Sequence, residues 1–158
     1  MKALVVFYSR TGTTEKIAEE IAKRLKIDIE RILDVKSRSG LLGWLRSGRE
    51  AKKKMEAAII PTRINPADYP CVIIGTPVWA SSMSSPIRTY LSRNKAKFKK
   101  LAFFCTCGGS GTKALKEMED LCGKPVLALL EVKTNEVKSG KYDDKIKEFI
   151  SKLECWYD

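Results

Sequence analysis

The opening stretch Met1-Lys2-Ala3-Leu4-Val5-Val6-Phe7-Tyr8-Ser9-Arg10-Thr11-Gly12-Thr13-Thr14 decides the fold. Ala3–Tyr8 is a continuous apolar run, which suits a parallel strand covered on both faces. It breaks into a turn of hydroxyls around one glycine. A helical pattern follows at once, from Thr13 to Lys26, with Ile17, Ala18, Ile21, Ala22 and Leu25 on one stripe. The start of a helix offers unpaired N–H groups and the positive end of its dipole. Ser9, Thr11, Thr13 and Thr14 add hydroxyl donors, and Gly12 lets the backbone approach an anion closely. A simple helix cap needs a single hydroxyl. This turn is richer than that and reads as a phosphate cradle. It is neither a Walker loop nor a dinucleotide fingerprint, because the glycine spacing of both is missing.

The strand-to-helix step recurs along the chain. Further strands are expected at Ile27–Val35, Cys71–Gly75, Leu101–Cys105 and Val126–Val132. Helices are expected from Ser85-Pro86, around Ala114, Leu115, Met118 and Leu121, and around Ile146, Phe149, Ile150 and Leu153. Such alternation predicts an α/β fold, a doubly wound three-layer sandwich on a five-stranded parallel sheet. The crossover from Lys36 to Pro70 is long. It predicts a basic amphipathic helix from about Leu41 to Glu56, with Leu41, Leu42, Trp44 and Leu45 packed onto the sheet, a contact patch being the second reading.

At 158 residues the chain reads as one domain, 1–158. It has no histidine, which excludes imidazole bases and imidazole metal ligands. Its five cysteines do not form a disulfide framework, so a reducing, cytoplasmic compartment is expected. No metal site is expected either. There is no apolar run long enough to span a membrane, and the N-terminal run is too short for a signal peptide.

Ligands of a doubly wound sheet sit beyond the carboxyl ends of the strands. Strand three is followed there by Thr76-Pro77-Val78-Trp79-Ala80-Ser81, and strand four by Thr106-Cys107-Gly108-Gly109. With these three loops the sequence resembles the flavodoxin family. Ser9, Thr11, Gly12 and Thr14 match the fixed positions of that family's phosphate loop, and the two later segments stand where its flavin-ring loops stand. The resemblance covers essentially the whole chain. It implies the strand order 2-1-3-4-5, with non-covalent FMN at the switch point. By that resemblance the cofactor site comprises Ser9, Arg10, Thr11, Gly12, Thr13 and Thr14, then Thr76, Pro77, Val78, Trp79, Ala80 and Ser81, then Thr106, Cys107, Gly108 and Gly109. Family members with a glycine in the first ring loop flip a peptide there. Residues 80–85 contain none, so that motion is disfavoured. The second ring loop carries no aromatic, which leaves one flavin face open. Cys105 reads as core and Cys107 as a loop residue beside the flavin.

The resemblance implies a redox protein that carries electrons between protein partners. An open flavin face would instead suit a small FMN-dependent NAD(P)H or quinone oxidoreductase. A flavin-free binding module on the same fold is the third reading. The net charge is +11, with Arg46, Arg49, Lys52, Lys53 and Lys54 clustered in the long crossover. A basic face favours an acidic, ferredoxin-like partner. No recognition helix or aromatic-laced basic strand points to nucleic acid.

Overall fold

A computed structural model describes residues 1–157, the last of them by its backbone alone. Its strands are β1 (Ala3–Phe7), β2 (Asp28–Arg31), β3 (Cys71–Trp79), β4 (Ser82–Met83), β5 (Lys100–Cys107) and β6 (Val126–Lys133). Its α-helices are α1 (Thr13–Leu25), α2 (Gly40–Lys52), α3 (Ser85–Asn94), α4 (Thr112–Cys122), α5 (Thr134–Ser139) and α6 (Asp143–Tyr157). The main sheet runs β2-β1-β3-β5-β6, all parallel. In terms of the five strands read from sequence, this is the order 2-1-3-4-5. The short β4 is an addition, paired antiparallel with the end of β3.

Alternation along the central strands splits the core into two layers. Val5, Phe7, Ile73 and Phe104 face α1 and α6, where Ile17, Ile21, Ile146 and Phe149 meet them. Leu4, Val6, Ile74 and Phe103 face the other way, onto Ile87 and Tyr90 of α3 and Leu115 and Met118 of α4. Both faces of β1, β3 and β5 are therefore dry, which is why their sequences are nearly unbroken apolar runs.

The long crossover departs from expectation. β2 ends at Arg31 rather than Val35, because the following residues leave the sheet. The Val35 amide donates to the Ala58 carbonyl and the Ile60 amide to the Leu33 carbonyl, an antiparallel pairing of the crossover with itself. Helix α2 stops at Lys52, with Lys54 at positive φ and the Met55 amide turned back to the Glu50 carbonyl. Its four apolar residues do not pack on the sheet. Leu41, Leu42, Trp44 and Leu45 are 72%, 83%, 59% and 52% exposed. The helix rests instead on Gly43, Ser47 and Ala51. A Cβ on Gly43 would stand 2.2 Å from the Arg38 carbonyl oxygen, so only glycine permits that approach. Small residues face inward because a buried arginine, Arg38, occupies the space beneath the helix.

Candidate functional site

Gly12 caps α1 at φ 95°, a left-handed conformation, with open space around its α-carbon. Glycine is needed there for the turn itself, which throws the chain from β1 into the helix. The Gly12 amide donates to Ser9 Oγ at 3.0 Å. No side chain caps the first turn of α1. The Thr14 hydroxyl crosses to Thr106 of β5 at 2.8 Å, tying the first loop to the strand that leads into the third. Arg10 is turned away from the turn: its Nε donates to the Arg38 carbonyl and its Nη2 to the Gly40 carbonyl. It holds down the start of α2. Arg31, which sequence reasoning missed, bonds the Ser9 carbonyl at 3.0 Å and Glu15 at 2.8 Å. Its position at the end of β2, next to β1, was the available signal.

β3 runs on to Trp79, where the sequence suggests a loop. Val78 pairs with Met83 and Trp79 with Ser82, closing a hairpin over Ala80 and Ser81. These two residues sit at φ 48° and 63°, the signs of a type I′ turn, which normally takes Asn-Gly. The loop without glycine thus holds two residues in left-handed geometry. Such strain gathers at functional sites. Ala80 is exposed, so its methyl group gains little packing. Ala80→Gly should relieve about 1–2 kcal/mol of steric cost against roughly 0.5–1 kcal/mol of added chain entropy. Thermal unfolding should then rise by about 2 °C, and a lowered midpoint would contradict this account.

The Trp79 indole meets the Tyr8 ring edge-on at 5.6 Å between centroids. The Arg38 guanidinium lies 5.1 Å from the indole centre. Burial and the Asp34 carboxylate beside it push the Tyr8 phenol up, so it stays protonated. Thr76 is fully buried and does not face the cleft. Its hydroxyl accepts from the Ser84 amide at 3.0 Å and fastens β3 to the start of α3.

At the third loop, Cys107 closes β5 and is buried rather than in the loop. Its sulfur, the Cys105 sulfur and a Glu131 oxygen lie within 4.8 Å of one another. Burial, then the Glu131 charge, raises the Cys107 thiol. A cation is already present: Lys133 Nζ is 2.5 Å from Glu131 Oε1 and 3.9 Å from Cys107 Sγ. It also donates to the Gly109 carbonyl, pinning the third loop. Burial opposes ionisation of Glu131, but Lys133 and the Gly111 amide hold it below the usual carboxylate range.

Ser9, Thr11, Thr13, Thr14, Pro77, Val78, Thr106, Cys107 and Gly108 line one cleft of about 250 Å³ at the carboxyl edge of the sheet, with Arg10 and Trp79. Trp44 and Thr134 join them, and neither was among the expected residues. Gly12, Thr76, Ala80, Ser81 and Gly109 do not line it. Ala80 opens instead onto a neighbouring cavity of about 860 Å³, which shares Trp44, Val78 and Trp79 with the cleft.

A doubly wound sheet with a hydroxyl-lined cleft between β1, β3 and β5, against an uncapped helix start, defines a mononucleotide-type binding protein. The family model described as flavodoxin matches residues 2–153, and the chain belongs to the flavodoxin family. FMN is its cofactor. The cleft fits that group: one end offers hydroxyls and free helix-start amides for a phosphate, and the other offers Val78 and Trp79 for an apolar ring. Among solved structures, a putative flavoprotein from Bacteroides eggerthii is 26% identical, with a TM-score of 0.70 over 91% of this chain and 97% of that one. A flavoprotein from Lactobacillus acidophilus in complex with FMN is 22% identical, with a TM-score of 0.72 over 87% of this chain and 97% of that one. An oxidised flavodoxin from Bacillus cereus is 17% identical, with a TM-score of 0.56 over 98% of each chain. No curated protein matches the sequence. Among the described residues, no helix is long and apolar enough to cross a membrane.

Proposed function

We propose that residues 1–158 form one FMN-binding domain of a small oxidoreductase that exchanges electrons with a small molecule. Ser9, Thr11, Thr13 and Thr14 hold the phosphate on the turn that Gly12 shapes, and Val78 and Trp79 with Thr106–Gly108 hold the ring. FMN, when bound, supplies one- and two-electron chemistry. The protein's part is to seat it, exclude water on the Trp79 side and leave a way in for the reaction partner. The observation that carries this reading is the larger cavity. It is concave, mostly apolar and bordered by the first ring loop, as small-molecule sites usually are. A carrier that only docks other proteins needs no such hollow.

One observation favours the carrier reading, which the resemblance put first. Arg49, Lys52 and Lys53 rim the same opening, and none of them is ion-paired among the described residues. Lys54 is partly engaged with Glu117 at 3.9 Å, and Arg46 is turned onto the Lys36 and Ser37 carbonyls. An acidic, ferredoxin-like protein would meet this rim with steep salt dependence. The FMN-loaded protein should oxidise NADH or NADPH in steady state with a quinone as acceptor. Turnover only through an acidic ferredoxin, slowed by salt and by Lys52→Glu with Lys53→Glu, would establish the carrier instead. A protein that copurifies without flavin and takes up none on reconstitution would sink both.

A further inference from the structure

We infer that the larger cavity is a binding site for a planar anion, an aromatic or conjugated ring system bearing a carboxylate, sulfonate or phosphate. The inference deepens the oxidoreductase reading and rests on it for its biological use; the site shares Val78, Trp79 and Ala80 with the expected cofactor set and adds Leu45, Arg49, Lys52 and Lys53 of the crossover, which the set did not include. Trp44 and Leu45 of α2 form one wall, and Val78 and Trp79 of β3 form the other. Two indoles across a hollow of about 860 Å³ suit a flat ring, which stacks or packs edge-on against them. The sign of the charge follows from the rim. Arg49, Lys52 and Lys53 line the cavity, and among the described residues no carboxylate does. Glu50, on the same helix, is committed to Arg38 at 2.6 Å, and Glu117, which Lys54 reaches at 3.9 Å, to Arg88 at 3.1 Å. Among the described residues none of the three rim cations is ion-paired, so they offer their charge to whatever enters.

The geometry of α2 explains why the walls are left bare. A helix that packed its leucines on the sheet would bury Trp44. Here Gly43, Ser47 and Ala51 take the inward face, so Trp44 and Leu45 remain 59% and 52% exposed beside Trp79. Exposed apolar surface of this kind has a hydration cost that a bound ring would recover. Charge complementarity decides between occupants. A second copy of this chain would bring its own +11 charge toward the same basic rim. A small anion brings the opposite sign.

The FMN-loaded protein would be titrated by calorimetry with 2-naphthalenesulfonate, a redox-inert planar anion, and with neutral 2-naphthalenemethanol. One sulfonate per chain should bind, about tenfold more tightly than the neutral ring, with the preference shrinking as salt is raised. The triple variant Arg49→Gln, Lys52→Gln, Lys53→Gln should lose that preference while keeping its FMN content. Trp44→Ala should weaken both ligands. Equal affinity for the two rings, or a preference untouched by the triple variant, would overturn the inference. So would sulfonate binding confined to the flavin-free protein, which would make the hollow part of the cofactor site. A dimer in sedimentation that Trp44→Ala dissociates, with no sulfonate bound, would assign the face to a second copy. Sulfonate binding to a chain that takes up no FMN would leave the site standing and remove the proposed function. FMN uptake without sulfonate binding would do the reverse.

Discussion

Riboflavin should bind at least on the order of a hundredfold more weakly than FMN, because it lacks the phosphate that we assign to the first loop. A phosphate carries about two negative charges, and each charge-assisted hydrogen bond to it contributes roughly 1.5–3 kcal/mol. Two such bonds lost account for that ratio. The loop's own bonding says which side chains to change. Ser9 Oγ is spent on the Gly12 amide and shapes the turn, so Ser9→Ala would confuse folding with binding. The Thr11 hydroxyl is exposed and, among the described residues, reaches only Thr13, at 3.4 Å, which leaves it available to a ligand. Thr14 is buried, and its hydroxyl already has Thr106 as partner. Thr11→Val should therefore weaken FMN with little change in stability. Thr14→Val should weaken FMN and also loosen the tie between the first and third loops. Together they should weaken FMN by tens-fold or more and riboflavin by much less. Calorimetric titration of the flavin-free protein with each flavin checks this. Equal affinity for the two flavins would remove the phosphate assignment from Ser9–Thr14.

The fold was legible where periodicity is strong. Ala3–Tyr8, Leu101–Cys105 and the stripe of α1 fall within a residue or two of the observed elements, because fully buried strands and one-sided helices leave unambiguous patterns. Three features were not legible, each because a tertiary contact overrode a local signal. β3 continues through Pro77 to Trp79. Its last residues pair with β4 across a turn whose left-handed residues, Ala80 and Ser81, give no glycine signal. Thr76 looks like a ligand-loop hydroxyl in sequence, but the approach of α3 consumes it through Ser84. The apolar residues of α2 look like a core face. Their exposure follows from Arg38, which the sequence shows only as one of many basic residues in the crossover. The cleft itself was mostly legible, since its hydroxyls and Val78 stand at the ends of strands. Trp44 and Thr134 were not, because they reach it from α2 and from the start of α5.

Arg38→Met should lower the thermal midpoint by roughly 6–20 °C near neutral pH, the largest stability effect expected of a single side chain here. The Arg38 side chain is only 3% exposed. Its Nε meets Asp34 Oδ2 at 2.7 Å and its Nη2 meets Glu50 Oε2 at 2.6 Å. It also donates to Ser47 Oγ at 3.2 Å and Ser85 Oγ at 3.1 Å. One guanidinium thus joins the crossover, α2 and α3, beneath the indole of Trp79. Removing one partner of a buried pair costs about 3–5 kcal/mol, because the other charges are left without compensation. At roughly 2–4 °C per kcal/mol for a chain of this size, the stated shift follows. Lysine cannot reproduce the planar fork, so Arg38→Lys should recover only part of the loss. The acid dependence separates this account from simple loss of packing. Burial pushes the Glu50 carboxyl up, but the bonds from Arg38 and Ser85 outweigh it and hold the group below its usual range. A carboxyl lowered in the folded state adds stability above its unfolded pKa and loses it as pH falls through the folded value. Without Arg38, only Ser85 and Arg46 remain to oppose burial, and the ionised Glu50 stabilises the fold less than in wild type. The gap between wild type and Arg38→Met should therefore be widest near neutral pH and narrow through the acid range. A gap constant from neutral to acid pH would mean that Arg38 contributes only its volume. The same melts, followed by tryptophan fluorescence, should show a changed environment for Trp79 in the variant, since the Arg38 guanidinium lies against its indole.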